Sequence, residues 1–214
     1  MNSLVIKRLS ESIVLTDDQR SIIVGTLLGD GHLETQNLGR TFRLKIEHSN
    51  KQREYVEWLY EAFKTLSISA PKLKDQSVNE VPYQKYGFST VSTSALRFYG
   101  QQFYVLRKKV VPKRIDKMLT PLALAIWFMD DGSLKSQFHK ARILNTQGFN
   151  GNDLDALQAA LVAKFGIQTT RRQQREGMQL YIPSVSVDRF IAIIRPFIVP
   201  SMEYKIKLTQ LPKE

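Results

Sequence analysis

Residues 21–33 read SIIVGTLLGDGHL, and residues 119–134 read LTPLALAIWFMDDGSL. Each is an apolar run with helical character that ends in an aspartate followed at once by glycine. An isolated Asp-Gly after a helix is ordinarily a solvated turn. Two of them, each closing an apolar helix within one basic chain, point instead to a duplicated carboxylate with a purpose.

The surrounding sequence repeats as well. In the first half, residues 16–29 predict a helix with Thr16 as cap and Asp17 and Asp18 in its first turn. Residues 41–48, TFRLKIEH, alternate as a strand does. Residues 50–66 have helical spacing, residues 86–93 form a strand candidate, and residues 94–106 predict another helix. In the second half, Thr120 and Pro121 open a helix to Asp130. Residues 140–147 are strand-like, and residues 153–165 form an amphipathic helix stopped by Gly166. Two strands flank the turn at residues 175–177, and residues 186–198 predict a closing helix. Asp30 and Asp131 lie 101 positions apart, Glu47 and Gln147 100, and Lys109 and Lys205 96. A steady offset across three markers argues for two copies of one unit, an internal pseudodimer. The expected division is 1–108 for the first repeat, 109–118 for a basic linker and 119–214 for the second repeat.

A pseudo-two-fold brings matching residues to opposite sides of one axis. Gly25 and Gly29 in one helix, with Ala123 and Ala125 in the other, suit close approach of two backbones. Paired carboxylates at the negative ends of two helices need counter-charge, and magnesium accepts such ligands together with phosphate and water. By symmetry Asp131 is the ligand, and Asp130, whose counterpart is Gly29, either supports it from behind or is simply exposed.

Charge names the partner class. Of 214 residues, 31 are Lys or Arg and 20 Asp or Glu, a formal net charge of +11, which favours a polyanion. There is no cysteine, so disulfides and thiolate zinc sites are excluded, and the three histidines are too scattered to suggest zinc. No apolar run is long enough for a membrane span, and the opening residues lack the apolar core of a secretory signal. The expectation is an intracellular protein with no membrane role.

The two motifs resemble the paired signature helices of the LAGLIDADG homing endonucleases, in their single-chain, two-motif form. Residues 122–132, LALAIWFMDDG, match closely; residues 23–31, IVGTLLGDG, are looser at the start but keep the terminal Asp-Gly. Residues 182–206 resemble the end of the family's second repeat. The resemblance implies an α+β fold of two pseudo-symmetric repeats, with central paired helices and antiparallel, saddle-shaped sheets over double-stranded DNA. It implies a monomeric, metal-dependent nuclease, a hydrolase that cleaves both strands across the minor groove and leaves four-base 3′ overhangs. Asp30 and Asp131 then bind Mg2+ or Mn2+ at the scissile phosphates, and Ca2+ is expected to bind without supporting cleavage. The family's basic residue falls on Lys109 and Lys205, with Lys108 a rival for the first. Its polar residue at the strand end falls on Glu47 and Gln147, which organise water or metal.

The DNA-facing candidates are Arg43 and Lys45; Lys72, Lys74, Gln84 and Lys85; Lys108, Lys113 and Arg114 in the basic linker; and Arg171, Arg172, Gln173, Gln174 and Arg175. Arg and Gln are the side chains suited to guanine and adenine edges in the major groove. A footprint of about 20 base pairs with about 6–10 neutralised phosphates gives an affinity that falls steeply with salt. Two other functions fit the resemblance. One is an intron RNA maturase, with host intron RNA as partner; the other is a DNA-binding regulator that does not cleave. Two intact aspartates favour cleavage.

Overall fold

The computed structural model describes residues 13–207 apart from 79 and 137. The opening residues read above for a secretory signal lie largely outside this range. The chain divides into two compact units, the first ending at Gln101 and the second beginning at Gln102.

In the first unit, α1 (Asp17–Leu28) starts at Thr16, whose hydroxyl accepts from the Gln19 backbone while the Gln19 side chain accepts from the Thr16 backbone. Its residues 21–28 are buried on every side, so its apolarity runs all round instead of along one stripe. The chain then forms β1 (His32–Glu34), β2 (Arg43–Ser49), α2 (Arg53–Phe63), β3 (Lys72–Val78) and β4 (Val81–Ser89). These strands make one antiparallel sheet in the order β1-β2-β4-β3. Alternation in β2 sends Leu44, Ile46 and His48 inward, where Tyr55, Val56, Leu59 and Phe63 of α2 complete the core. Arg43, Lys45 and Glu47 take the open face.

The helix expected over 94–106 is shorter. A 3-10 turn (Ser94–Leu96) leads into α3 (Arg97–Phe103), and the chain then makes a hairpin of β5 (Tyr104–Val105) and β6 (Lys108–Lys109). Leu106 and Arg107 both have positive φ, 49° and 66°, which makes the tight two-residue turn a hairpin requires.

The stretch expected as a linker, 109–118, packs into the second unit. Val111 and Ile115 are buried, the Val111 N–H donates to Asp153, and α4 (Ile115–Met118) occupies the end of the stretch. Next come α5 (Pro121–Asp131), β7 (Gly132–Ser136), β8 (His139–Leu144), α6 (Gly151–Phe165), β9 (Thr170–Gln174), β10 (Gly177–Ile182) and α7 (Ser184–Ile194). Their sheet runs β7-β8-β10-β9, the same order as the first. The helix expected to reach 198 ends at Ile194 and tightens into a 3-10 turn (Arg195–Phe197), where Pro196 has no N–H to continue it. A further 3-10 stretch (Pro200–Lys205) carries Lys205. Phe128 of α5 meets Phe190 of α7 edge-on at 5.1 Å. Among the described residues no helix is long and apolar enough to cross a membrane.

Candidate nucleic-acid interface and cleavage site

Both Asp-Gly pairs sit where a helix turns into the first strand of its sheet, and the glycines explain the turn. A Cβ on Gly31 would lie 2.8 Å from the Thr26 Cβ, and one on Gly132 would lie 2.3 Å from the Phe128 carbonyl oxygen. The chain folds back on its own last helical turn in each repeat, leaving no room for a side chain. The aspartate before each glycine is thereby fixed at the helix end.

The two carboxylates are held differently. α1 ends at Leu28 with Gly29 as its cap, so Asp30 lies beyond the helix with its side chain about half exposed (48%). The buried His48 ring places Nδ1 3.3 Å from Asp30 Oδ2 and packs against Tyr55. Asp131 is instead the last residue of α5. Its carbonyl accepts from the Asn145 backbone at 3.0 Å and the Asn145 amide at 2.7 Å, and Asn145 in turn accepts from Gln179. Lys205 Nζ donates to the carbonyls of Met129 and Asp130 at 2.5 and 3.0 Å. A cation at a helix C-terminus is favourable there, and its charge lies one residue from Asp131.

Glu47 sits in β2 with its carboxylate between Lys45, 3.2 Å away, and Lys74. Burial works to raise its pKa, but the hydrogen bonds and charges of the two lysines outweigh this and hold it below the ordinary carboxylate value. Gln147 lies three residues past the end of β8, yet the β8–β10 register, continued, sets it opposite Gly177. Gly87 is the register partner of Glu47. A Cβ on Gly87 would lie 2.3 Å from the Ile46 carbonyl and 2.7 Å from Glu47 Cγ, and one on Gly177 would lie 2.7 Å from the Gln147 carbonyl. Each strand-end polar residue therefore rests on a glycine of the neighbouring strand. Lys109 is half-buried in β6 beside Tyr104, whereas Lys108 is exposed.

The open face of the first sheet gathers Arg43, Lys45, Lys72, Lys74 and Lys85, and three of these cations, Arg43, Lys45 and Lys74, are engaged by its own acids. Arg43 contacts Glu34 at 2.5 Å, and Lys45 lies 3.6 Å from Glu34. Burial again pushes the Glu34 pKa up, and Arg43, His32 and Lys45 together pull it below its ordinary value. Gln84 projects to the other side, bonded to Asp75 and Asn50. In the second sheet, Arg172 pairs with Gln179 and Gln174 with Gly177 across β9 and β10, which places them on the open face with Tyr181. Arg171 turns away onto α6, where it reaches Gln158 at 2.9 Å and Asp155 at 2.5 Å. Gln173 shares that register side, and Arg175 lies in the turn. Lys113 and Arg114 are exposed, with Arg114 on Asp116 at 3.2 Å.

Sequence reasoning missed His48, Asn145, Gln179 and the two strand glycines. His48 falls on the buried side of the β2 alternation, a signal in plain view. Nothing in the one-dimensional pattern marks the others.

The sequence profile of the LAGLIDADG DNA endonuclease family matches residues 20–190. The chain belongs to this family. Two curated relatives are each 32% identical: DNA endonuclease I-ChuI of Chlamydomonas applanata, over 90% of this chain and 95% of its own, and cytochrome b mRNA maturase bI2 of Debaryomyces hansenii, over 90% and 74%. Among solved structures, the homing endonuclease I-WcaI bound to its DNA recognition sequence superposes with a TM-score of 0.91 at 26% identity, covering 98% of this chain and 95% of that one. I-DmoI in complex with DNA and Mn shares the fold at a TM-score of 0.53 and 16% identity, covering 83% and 96%. The two-repeat α+β architecture of the LAGLIDADG fold is thus that of this chain.

Proposed function

We propose that this LAGLIDADG protein is a site-specific homing endonuclease that acts as a single chain, hydrolysing both strands of a DNA site of about 20 base pairs to leave four-base 3′ overhangs. The observation that carries the reading is the aspartate fixed by a tight glycine at the end of the buried helix in each repeat. The likeness to DNA endonuclease I-ChuI and to DNA-bound I-WcaI supports it.

The donor set suits a hard divalent cation. Asp30 and Asp131 offer carboxylate oxygens at helix ends lined with backbone carbonyls, and among the described residues no cluster of three or more His, Cys, Asp or Glu forms a closed cage. At each aspartate the coordination would be completed by phosphate and water oxygens, as magnesium prefers and as manganese tolerates. A cation held by Asp30 or by Asp131 would supply charge neutralisation at the scissile phosphate and acidify a water. The chain's own residues do the remainder. Lys109 and Lys205 place positive charge beside the phosphate as negative charge builds on it. Glu47, kept ionised by Lys45 and Lys74, accepts a hydrogen bond from the attacking water, and Gln147 orients its counterpart. Arg172, Gln174 and Gln179 read base edges, while Lys72, Lys74, Lys85, Lys113 and Arg114 lie against phosphates.

The test is to incubate the protein with Mg2+ and a pool of randomised 22-base-pair inserts and to sequence the ends. One long site cut on both strands with four-base 3′ overhangs is expected, with binding but no cutting in Ca2+. A second reading, an intron RNA maturase, is favoured by the likeness to the cytochrome b mRNA maturase. Retention of a structured intron RNA by a protein that cuts no member of the pool would replace the first reading with it.

A further inference from the structure

Arg142 lies in β8 and is only 2% exposed, one of the largest fully buried side chains described. Its register partner is Ile182, and its face of the strand is that of Leu144 and Leu180, which α7 covers. The guanidinium thus points away from the open face that carries Arg172 and Gln174. Nη1 donates to the carbonyls of Lys140 and Ala141, and Nη2 donates to the Ile206 carbonyl at 2.7 Å. Nε has no partner among the described residues. Every acceptor it has is neutral. Burial lowers its pKa, and among the described residues no carboxylate offsets this. An arginine remains charged under such burial, and a buried charge with no counter-ion is costly.

The side chain lines a cavity of about 420 Å³ between β8, α7 and the end of the chain's last 3-10 stretch. The other charged residues of its wall are Lys140, Arg195, Lys207 and Asp188. Asp188 is engaged by Lys140 at 2.5 Å, and Lys207 is paired with Glu203 outside the wall. Arg195 makes no ion pair among the described residues. Four cations, Arg142 among them, and one acid therefore line this space, and among the described residues the buried guanidinium has no anion. Apolar side chains of α7, with Ile206, form the rest of the wall and lower the local dielectric, which strengthens attraction for a compact anion.

We propose that this cavity is a phosphate-binding site, built on Arg142 and Arg195, on the opposite side of the second sheet from the DNA-reading face. It takes the oxyanion of free phosphate or of a phosphate ester. The proposal stands independently of cleavage, because none of its residues belongs to the cleavage site.

The experiment follows the arginine side-chain Nε–H resonances of the 15N-labelled full chain during titration with inorganic phosphate, with chloride at matched ionic strength as control. Arg142→Lys assigns the resonance. A saturable shift at Arg142 under phosphate and none under chloride is expected, weakened at least tenfold in Arg195→Gln. That variant leaves DNA cleavage unchanged. A second arm substitutes a short single-stranded phosphodiester oligonucleotide. Competition with phosphate at Arg142 identifies a nucleic-acid backbone as the source, and its failure to compete identifies free phosphate or a small phosphate ester. Addition of target duplex should not displace phosphate, since the duplex occupies the other face. No shift at Arg142, an equal shift under chloride, or an undiminished shift in Arg195→Gln would overturn the proposal.

Discussion

The two repeats end their signature helices with the same backbone device and hold the resulting aspartates with different side chains. In both, a glycine with no space for Cβ turns the chain back after the carboxylate. In the first, His48 grips the Asp30 side chain itself. In the second, Asn145 grips the Asp131 main-chain carbonyl, and Lys205 occupies the helix end. The sheets diverge in the same way. The first binds three of its cations, Arg43, Lys45 and Lys74, with Glu34 and Glu47; in the second, Arg172 makes no ion pair among the described residues. Duplication has kept the geometry that places the acids and let their electrostatic surroundings separate. The two halves should therefore respond unequally to matched substitutions.

The shared device can be broken first. Gly132→Ala should cost about 3 kcal/mol, because its Cβ would lie 2.1 Å from Phe128 Cδ2 and 2.3 Å from the Phe128 carbonyl oxygen, and Gly31→Ala about 2 kcal/mol, because its closest contacts, Thr26 Cβ at 2.8 Å and the Thr26 carbonyl oxygen at 3.1 Å, are longer. Urea unfolding measures both. Equal losses would mean that the second turn relaxes more easily than its packing indicates.

The contrast in grip is sharper in kinetics. His48→Ala should slow cleavage of one strand by about 10–100-fold while the other is little affected, the size seen when a partner that orients a metal ligand is removed. Asn145→Ala should show its effect mainly as lost stability. Separate end-labels on the two strands report the difference, and equal slowing of both strands by His48→Ala would remove the asymmetry from the account.

Glu34→Gln tests the self-paired face. Releasing Arg43 and Lys45 should tighten non-specific DNA binding and make the slope of log K against log salt steeper by about one. The same carboxyl links stability to pH. Its folded pKa is depressed, so its contribution is complete above the unfolded carboxyl value and is lost as pH falls through the folded one. An acid unfolding profile of Glu34→Gln should be flatter over that interval, and an unchanged profile would show that the network contributes nothing.

The smallest effect belongs to the hairpin before Lys109. Leu106→Gly removes the cost of a positive φ at an exposed residue and should stabilise by about 1 kcal/mol or less, read as a small rise in Tm.

Much of this architecture is legible in the sequence because helices and two-residue alternation leave strong marks. Thr16, Thr120, Pro121 and Gly166 mark helix ends, and Leu44 and Ile46 mark the buried side of β2, with Phe42 just before it. The short β1 and β7 are not legible, since three to five residues after a glycine turn carry too little periodicity. The first strand of the hairpin, residues 104–105, and Leu106 read as the end of a helix because Leu106 is an ordinary helix former, and only the backbone shows it in the left-handed region. Arg171 and Arg172 look alike in sequence, yet register sends one onto α6 and the other to the open face. The glycines beneath Glu47 and Gln147 are invisible for the same reason, since they become neighbours only across a strand pair.

The central claim is that Asp30 and Asp131 each serve one step of a double-strand cut. The most direct measurement is strand-resolved cleavage of the selected site by Asp30→Asn and Asp131→Asn in Mg2+, with Ca2+-dependent binding measured alongside. The account predicts that each variant binds the site as the parent does and fails to make the double-strand cut. Normal cutting of both strands by either variant, with binding intact, would contradict it.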